Sequence, residues 1–338
     1  MNKQALEDIA QAMLADGQGI LAADESTGTI KKRFDSIDTV STEESRRDYR
    51  EMLFRTTQAM QENISGVILY DETIRQKAAD GTPLTQLMVE AGAVPGIKVD
   101  TGAKDLAGHA GEMVTEGLDG LRERLAEYHD LGARFAKWRA VLNITDSNPS
   151  AACLTANTHA LARYAALCQE AGIVPIVEPE VIMDGGHSVE RCYEVTSAAL
   201  TALYEQLANQ GVHLEGSILK PNMIVSGTTN ANQAGIDQVG EMTLDCFHKC
   251  VPTAVPGIVF LSGGQSDELA TAHLDAMNKI GNLPWKLSFS YGRALQAAPL
   301  KAWGGKAENV PAAQAAFAHR AKMNGLAALG QWDASLEG

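Results

Sequence analysis

Short apolar runs alternate with helical patterns along most of the chain. Eight runs have the length and composition of buried strands, and they begin at Gly19, Ile64, Gly96, Phe135, Gly172, Leu214, Gly257 and Trp285. Between them apolar residues recur every three or four positions, which is typical of helices with one buried face. Amphipathic helices are predicted before the first strand, over residues 2–15, and after the last, from Pro311 to Leu329. No linker divides the 338 residues. The alternation therefore predicts one domain over residues 1–338, a single (β/α)8 TIM barrel of the α/β class with an N-terminal helix and a C-terminal helical segment.

Two local predictions concern the segment between the first and second strands. Residues 25–34 are rich in hydroxyl and basic side chains and are predicted to form a surface loop. Ser41 and Glu44 have the spacing of a capping box. They predict the start of a helix whose inward residues are Tyr49, Leu53, Thr56 and Met60.

Charge and cysteine usage narrow the class of protein. The net charge of -14 argues against a nucleic-acid surface or an anionic membrane as a partner. Five cysteines without a C-x-x-C pair indicate reduced thiols, and the N-terminus has no signal-peptide pattern. No apolar stretch reaches membrane-spanning length. These features together predict a soluble cytoplasmic protein.

Polar residues recur where the predicted strands end, which in a parallel barrel is the rim that carries active sites. Lys220 follows the sixth strand, and Pro221 biases it to extended geometry. Taken alone, a lysine in this position more often marks an exit to solvent. The other strand-end residues are Asp24, Lys98, Asp100, Lys137, Arg139, Glu178, Glu180, Ser262, Ser288, Ser290, Tyr291, Gly292 and Arg293. Asp100 or Arg139, taken singly, could equally be a paired structural charge, but the whole set is hard to explain as packing.

Two lysines within this set suggest covalent chemistry. Lys137 and Lys220, close together in a partly dry site, are expected to lower each other's pKa by desolvation and like-charge repulsion. A neutral lysine amine attacks carbonyl carbon and forms an imine that acts as an electron sink. The carboxylates of Asp24, Glu178 and Glu180 could move the protons that this reaction requires. The set therefore predicts Schiff-base chemistry on a sugar or keto compound.

Two hydroxyl-rich and basic clusters predict phosphate recognition. The first combines Ser262 to Ser266 with Ser290 to Arg293, on the loops that usually bind phosphate in this barrel class. The second consists of Ser26, Thr29, Arg33 and Lys98, and it is expected to lie across the mouth of the barrel. Two such clusters around a lysine suggest a bisphosphate ligand.

Histidine spacing bears on a possible metal. The eight histidines form no H-x-x-H or H-x-x-x-H pair, and Cys246, His248 and Cys250 would face different sides of a helix. Zinc is therefore disfavoured and no metal site is predicted, although magnesium held by carboxylates stays open.

Several segments, in order along the chain, resemble the landmarks of class I fructose-bisphosphate aldolases. They are G-I-L-A-A-D-E-S-T-G, F-A-K-W-R, I-V-P-I-V-E-P-E, V-H-L-E-G-S-I-L-K-P-N, F-L-S-G-G-Q-S, F-S-Y-G-R-A-L and L-K-A-W-G-G-K. The resemblance implies metal-independent, reversible cleavage of fructose 1,6-bisphosphate to dihydroxyacetone phosphate and glyceraldehyde 3-phosphate, without a cofactor. It also implies that the protein forms a homo-oligomer, namely a tetramer.

The resemblance also implies roles for individual residues. Lys220 would form the Schiff base, Glu178 would be the acid and base for carbinolamine dehydration, and Asp24 would help remove the hydroxyl proton. Lys137 and Glu180 would tune these groups. The expected substrate-binding residues are Ser26, Thr29, Arg33, Lys98, Arg139, Ser262, Gly263, Ser290, Gly292 and Arg293.

One departure and two alternatives accompany this prediction. Animal members of the family carry a C-terminal tail that ends in a tyrosine assigned to proton exchange on the enamine, whereas the last tyrosine here is Tyr291. Slow proton exchange on dihydroxyacetone phosphate is therefore expected. The alternatives are a Schiff-base aldolase for another phosphorylated sugar, such as fructose 1-phosphate, and a non-catalytic barrel scaffold.

Overall fold

The computed structural model describes all 338 residues and contains a closed barrel of eight parallel strands. In chain order the strands are β1 (Gly19–Ala23), β2 (Ile64–Leu69), β3 (Val94–Lys98), β4 (Ala103–Asp105), β5 (Met113–Thr115), β6 (Phe135–Leu142), β7 (Val174–Val181), β8 (Ile218–Leu219), β9 (Gly257–Phe260) and β10 (Lys286–Tyr291). The barrel closes in the order β1-β10-β9-β8-β7-β6-β3-β2, while β4 and β5 form a separate hairpin. The predicted fold class is confirmed.

Helices follow the strands and surround the barrel. They are α1 (Lys3–Ala12), α2 (Thr27–Asp35), α3 (Glu43–Phe54), α4 (Thr57–Asn63), α5 (Asp71–Arg75), α6 (Leu84–Glu90), α7 (Leu121–Asp130), α8 (Ala151–Glu170), α9 (Val189–Asn209), α10 (Ile236–Cys250), α11 (Asp267–Ile280), α12 (Arg293–Trp303) and α13 (Val310–Ala328). Short 3-10 turns occupy Leu214–Gly216, Ala307–Asn309 and Ala334–Glu337. None of these helices combines the length and apolar character needed to cross a membrane.

The interior of the barrel is filled by apolar side chains and closed at its amino-terminal end by α1. Leu6 of α1 and Leu14, just after the helix, pack with Phe135 and other inward strand residues in one buried cluster. The Phe135 ring crosses to the neighbouring strand, where a Cβ on Gly96 would lie only 2.3 Å from it. Since one end of the barrel is plugged in this way, only the carboxyl end is open to a ligand.

The segment before Lys220 is much less strand-like than predicted. Leu214–Gly216 forms a 3-10 turn, and β8 retains only Ile218–Leu219. A Cβ on Gly216 would lie 2.8 Å from Leu6 Cβ, so α1 occupies the space beside this turn. The Lys220 amide nevertheless donates to the Val177 carbonyl at 2.9 Å, which fixes the backbone of Lys220 against β7.

Two predictions between β1 and β2 were wrong in detail. Residues 27–35 form α2 rather than a loop, because Ser26 caps the helix and its apolar residues Ile30 and Phe34 are buried. The capping box of α3 consists of Thr42 and Ser45, one residue later than predicted. The helix also breaks before Thr56, so the four inward residues, which are all buried, are divided between α3 and α4.

Candidate active site

A cavity of about 450 Å³ opens at the carboxyl end of the barrel strands. Six basic and five acidic side chains lie among its 24 lining residues. All fifteen side chains that the sequence singled out for catalysis or substrate binding line this one cavity. A concave and strongly charged site of this kind suits a small ionic ligand better than an apolar one.

Four buried charges form the floor of the cavity. Lys220 Nζ lies 3.3 Å from Glu178 Oε1, and Lys137 Nζ lies 3.5 Å from Glu178 Oε2. Lys137 Nζ also pairs with Asp24 Oδ2 at 2.7 Å. These side chains come from β6, β7 and the residues that follow β1 and β8, so four barrel strands converge on one point. Glu178 therefore sits between the two lysines.

The electrostatics of Lys137 differ from the prediction. Burial lowers the pKa of Lys137, but the carboxylates of Asp24, Glu178 and Asp100 outweigh burial and raise it. The expected lowering of the Lys137 pKa by Lys220 was wrong, because carboxylates surround Lys137 more closely than the second lysine does. Burial would raise the pKa of Asp24, but Lys137 and Lys220 lower it to about 2. Lys137 is thus an ammonium and Asp24 a carboxylate at neutral pH.

Two further basic residues of the site are ion-paired. Arg139 Nε donates to Glu180, and although burial lowers the pKa of Arg139, Glu180 raises it overall. Lys98 Nζ lies 2.6 Å from Asp100 Oδ1. Asp100 also accepts hydrogen bonds from the amides of Gly102 and Arg139, so it links the backbone that follows β3 to the middle of β6. Asp100 and Arg139 could each have been a paired structural charge, and both are paired here, Asp100 with Lys98 and Arg139 with Glu180.

The loops after β9 and β10 meet at the rim. Gly263 adopts a left-handed conformation with φ 57°, and the Arg293 guanidinium donates to its carbonyl oxygen. A Cβ on Gly263 would lie 3.0 Å from Met183 Sδ, so a side chain there is opposed by both conformation and space. The Ser290 hydroxyl is buried without a hydrogen-bond partner. These groups leave donors available to an anion at the rim.

The start of α2 brings a second set of donors to the same cavity. Ser26 Oγ accepts the Thr29 amide at 3.4 Å and lies 3.1 Å from the Thr29 hydroxyl. Arg33 lies close to the loop after β10, since its Nη2 would be 3.7 Å from a Cβ on Gly292. The prediction that Arg33 lies across the mouth from that loop was wrong, because β1 and β10 are neighbours in the closed barrel.

Some strand-end residues point elsewhere. Ser288 Oγ donates to the Gln18 carbonyl near the closed end of the barrel, and Tyr291 donates to the Ala270 carbonyl in the helical layer. Ser288 faces inward like Ser290 but lies too far back along the strand, whereas strand alternation turns Tyr291 outward.

Several lining residues were not predicted. They include Glu25, Tyr70, Val141 and Leu261. Alternation along β1 would turn Glu25 away from Asp24, so no periodic signal marks it. Its carbonyl oxygen accepts a hydrogen bond from Arg50 of α3, which is separated from it by 25 residues. No group of three or more His, Cys, Asp or Glu side chains has the arrangement of a metal site.

Comparison with known proteins agrees with this geometry. A family model described as fructose-bisphosphate aldolase class-I matches residues 5–338. A probable fructose-bisphosphate aldolase class 1 of Xanthomonas axonopodis pv. citri is 59% identical, covering 98% of this chain and 99% of the relative. A cytosolic fructose-bisphosphate aldolase of Arabidopsis thaliana is 53% identical over 93% of this chain and 80% of its own length.

A solved structure gives the same result for the fold. The fructose-bisphosphate aldolase of Plasmodium falciparum, determined in complex with TRAP and a small-molecule inhibitor, superposes with a TM-score of 0.96. The two are 46% identical, and the match covers 98% of this chain and 96% of the other. On the family match and these full-length relatives, the chain belongs to the class I fructose-bisphosphate aldolases.

Proposed function

We propose that this protein cleaves fructose 1,6-bisphosphate reversibly to dihydroxyacetone phosphate and glyceraldehyde 3-phosphate through a Schiff base on Lys220. The observation that carries the assignment of Lys220 is its position 3.3 Å from Glu178, at the buried floor of a cavity whose rim is rich in anion donors. A lysine beside a carboxylate has both the nucleophile and the proton carrier that imine formation needs.

The proposed reaction begins with attack of the neutral Lys220 amine on the ketone carbon of the substrate. Glu178 donates the proton with which the carbinolamine hydroxyl leaves as water, and a protonated imine remains. Asp24 then helps remove the proton of the substrate hydroxyl next to the bond that breaks. The bonding electron pair moves into the imine to give an enamine, and the aldehyde product departs. Protonation of the enamine carbon and hydrolysis release dihydroxyacetone phosphate and restore Lys220.

Lys137 and Glu180 support these groups in the proposed reaction. Because the pKa of Lys137 is raised, it stays charged and stabilises the carboxylates of Asp24 and Glu178 at 2.7 and 3.5 Å. Glu180 holds Arg139 at the cavity wall through their ion pair. A fixed charge pattern of this kind favours a transition state in which charge moves across the floor.

The two phosphates are assigned to two parts of the rim. Ser262, Gly263, Ser290, Gly292 and Arg293 are proposed to bind one phosphate through backbone amides, hydroxyls and a guanidinium. The other would bind to Ser26, Thr29 and Lys98. Arg33 lies beside Gly292 and is therefore proposed to contribute from between the two sets. Arg139 would contact the substrate between its phosphates.

Trapping tests the Schiff base. The protein is incubated with dihydroxyacetone phosphate and borohydride, digested and mapped by mass spectrometry. The reduced adduct is expected on Lys220, and Lys220→Arg should carry none. Lys286→Arg is a matched control, since Lys286 pairs with Asp16 away from the cavity, and it should be labelled like the wild type. Wild-type protein without an adduct on Lys220 would contradict the proposal.

Two further measurements test the substrate and metal assignments. We expect a higher kcat/KM for fructose 1,6-bisphosphate than for fructose 1-phosphate. Lys98→Ala should lower the kcat/KM for the bisphosphate and leave that for fructose 1-phosphate unchanged. Equal values for both sugars would contradict the two-phosphate assignment. Activity should survive exhaustive chelation, whereas loss that zinc restores would contradict metal independence.

The proposal extends to assembly and location. The family resemblance supports a homotetramer, and light scattering should then give four times the subunit mass. A cytoplasmic location is supported by the five free thiols and by the cytosolic Arabidopsis relative. Cell fractionation tests this, and recovery outside the cytoplasm would contradict it.

A further inference from the structure

Glu25 is a buried carboxylate of the cavity that the proposed reaction does not use. Its side chain is 4% exposed and lies between Asp24 and the Ser26 cap of α2. Glu25 Oε1 pairs with Arg33 Nη1 at 2.7 Å and accepts a hydrogen bond from Gln296 Nε2 at 2.9 Å. Arg33 has no other acidic partner within ion-pair distance. In the free protein, Glu25 therefore neutralises a cation of the rim.

The other half of the Glu25 carboxylate lacks a hydrogen bond. Glu25 Oε2 is buried without one, and so are the Nε and Nη1 atoms of Arg50, whose side chain is 1% exposed. Arg50 Nη2 lies 3.8 Å from Glu25 Oε2, too far for a hydrogen bond. The guanidinium makes only one hydrogen bond, from Nη2 to the Glu25 carbonyl oxygen at 2.9 Å. Buried charges in this state are costly, and a small movement of the carboxylate towards Arg50 Nη2 would give Glu25 Oε2 a hydrogen bond from the guanidinium.

Arg33 is placed to change partners. Its Nη1 faces Glu25, while Nη2 lies beside the backbone of Gly292 on the rim. A phosphate dianion accepts stronger charge-assisted hydrogen bonds from a guanidinium than a single carboxylate oxygen does. A phosphate that reaches Arg33 would therefore displace Glu25, and Glu25 would find unused donors on Arg50.

We propose that Glu25 is a positioning residue that exchanges counter-ions, pairing with Arg33 in the free protein and with Arg50 when Arg33 binds a phosphate of the ligand. The inference rests on the proposed function, because it takes Arg33 as a phosphate ligand. Glu25 holds Arg33 in place before binding and competes with weak anions. A ligand that brings a dianionic phosphate drives the exchange, so the pair sharpens selection for phosphorylated substrates.

Three variants test the exchange through the binding of inorganic phosphate, which needs no aldol chemistry. Glu25→Gln removes the competitor, so the Kd of phosphate and the KM of the substrate should fall at least three-fold. Arg50→Gln removes the alternative partner and should raise both at least three-fold. The double variant should have the same Kd and KM as Glu25→Gln. A purely structural role predicts instead that both single variants weaken binding and that their effects add, which would overturn the proposal.

Matched controls separate this result from general damage. Glu51 follows Arg50 in α3 but pairs with Arg55, and it contacts neither Arg33 nor Glu25. Glu51→Gln should therefore not tighten phosphate binding, and equal tightening would overturn the proposal. Arg33→Ala should weaken phosphate and abolish the effect of Glu25→Gln. Phosphate affinity that does not depend on Arg33 would overturn the inference, while trapping on Lys220 would still test the cleavage reaction separately.

A crystal structure of the wild-type protein with inorganic phosphate tests the same point without a variant that must fold. The Glu25–Arg50 separation should shorten to hydrogen-bond distance, and the Glu25–Arg33 separation should lengthen beyond 4 Å, the limit for an ion pair. A phosphate on Arg33 with both separations unchanged would overturn the exchange.

Discussion

Lys137 sits between two carboxylates, and this position allows its charge to be tested apart from the nucleophile. Lys137→Met would leave Asp24 and Glu178 buried without their shared cation, so the pKa of Asp24 should rise from about 2. The proton transfers assigned to these carboxylates should then fail. We expect kcat to fall by about 10²- to 10⁴-fold, with the acid limb of the pH–rate profile moved to higher pH. Steady-state cleavage between pH 4 and 9 measures both.

The conservative variant is the control for this prediction. Lys137→Arg keeps a cation beside Asp24, so its acid limb should stay near that of the wild type even if kcat falls. A Lys137→Met variant with an unshifted acid limb would show that Lys137 does not set the protonation of the carboxylates.

At the scale of residues, the sequence was most informative where strand geometry forces a side chain towards the cavity. Lys137, Glu178 and Lys220 lie at strand ends, so the fold class placed them correctly. Glu25 escaped prediction because its partners Arg50 and Gln296 come from distant parts of the chain. The error about the Lys137 pKa has the same origin, since the balance between lysines and carboxylates depends on distances that spacing does not give.

At the scale of an element, the first turn of α3 is stabilised by a capping box. Thr42 Oγ1 accepts the Ser45 amide at 3.0 Å, and Ser45 Oγ accepts the Thr42 amide at 2.9 Å. Thr42→Ala removes one of these bonds and should lower the free energy of unfolding by about 1 kcal/mol. Urea denaturation measures the difference. Ser41→Ala is the matched control and should cost less, since Ser41 only accepts a 3.3 Å bond from Arg46; a larger loss for Ser41→Ala would contradict the assignment.

Helices and strands were predicted best where the apolar residues of the periodic pattern are the ones that the fold buries. The start of β6 agrees with the predicted start at Phe135, and β9 begins at Gly257 as predicted. Residues 27–35 were misassigned because hydroxyl and basic side chains cover the exposed face of α2, while only Ile30 and Phe34 are buried. β8 was overestimated because Leu214 and Gly216 pack against α1, a contact outside the local pattern.

At the scale of the whole molecule, the closed end of the barrel depends on Gly96 giving room to the Phe135 ring. Both faces of β3 are enclosed there, so the ring has little space to move. Gly96→Ala should lower the free energy of unfolding by roughly 1–3 kcal/mol, which is the usual cost of overpacking. Gly28→Ala is the control, because no atom lies within 4 Å of a Cβ at Gly28 and its stability should not fall. Thermal unfolding compares the two, and an unchanged Gly96→Ala variant would contradict the packing argument.

The last residues of the chain are tied to α11, the helix that follows the loop after β9. Glu337 accepts hydrogen bonds from Arg320 and, at 3.0 Å, from Trp332 Nε1. Arg320 is buried and also donates to Thr271 Oγ1 at 2.6 Å, in the first turns of α11. Burial raises the pKa of Glu337, but Arg320 outweighs burial and lowers it. The ion pair between Glu337 and Arg320 should therefore stabilise the folded protein fully above pH 4.5, the ordinary pKa of this carboxyl. Its contribution should be lost as the pH falls below that value.

Glu337→Gln removes this charge and leaves Arg320 without its anion. The free energy of unfolding should fall by roughly 1–3 kcal/mol at pH 7, the range for hydrogen bonds to charged groups. The difference from the wild type should begin to shrink below pH 4.5, because the unfolded wild-type chain then binds a proton at Glu337 that the folded protein takes up only at lower pH. Urea denaturation at pH 7 and pH 3.5 measures it, with Asp333→Asn as a control that leaves the Arg320 pair intact. A difference that is absent at pH 7, or equal at both pH values, would mean that the Glu337 charge does not hold this end of the chain to α11.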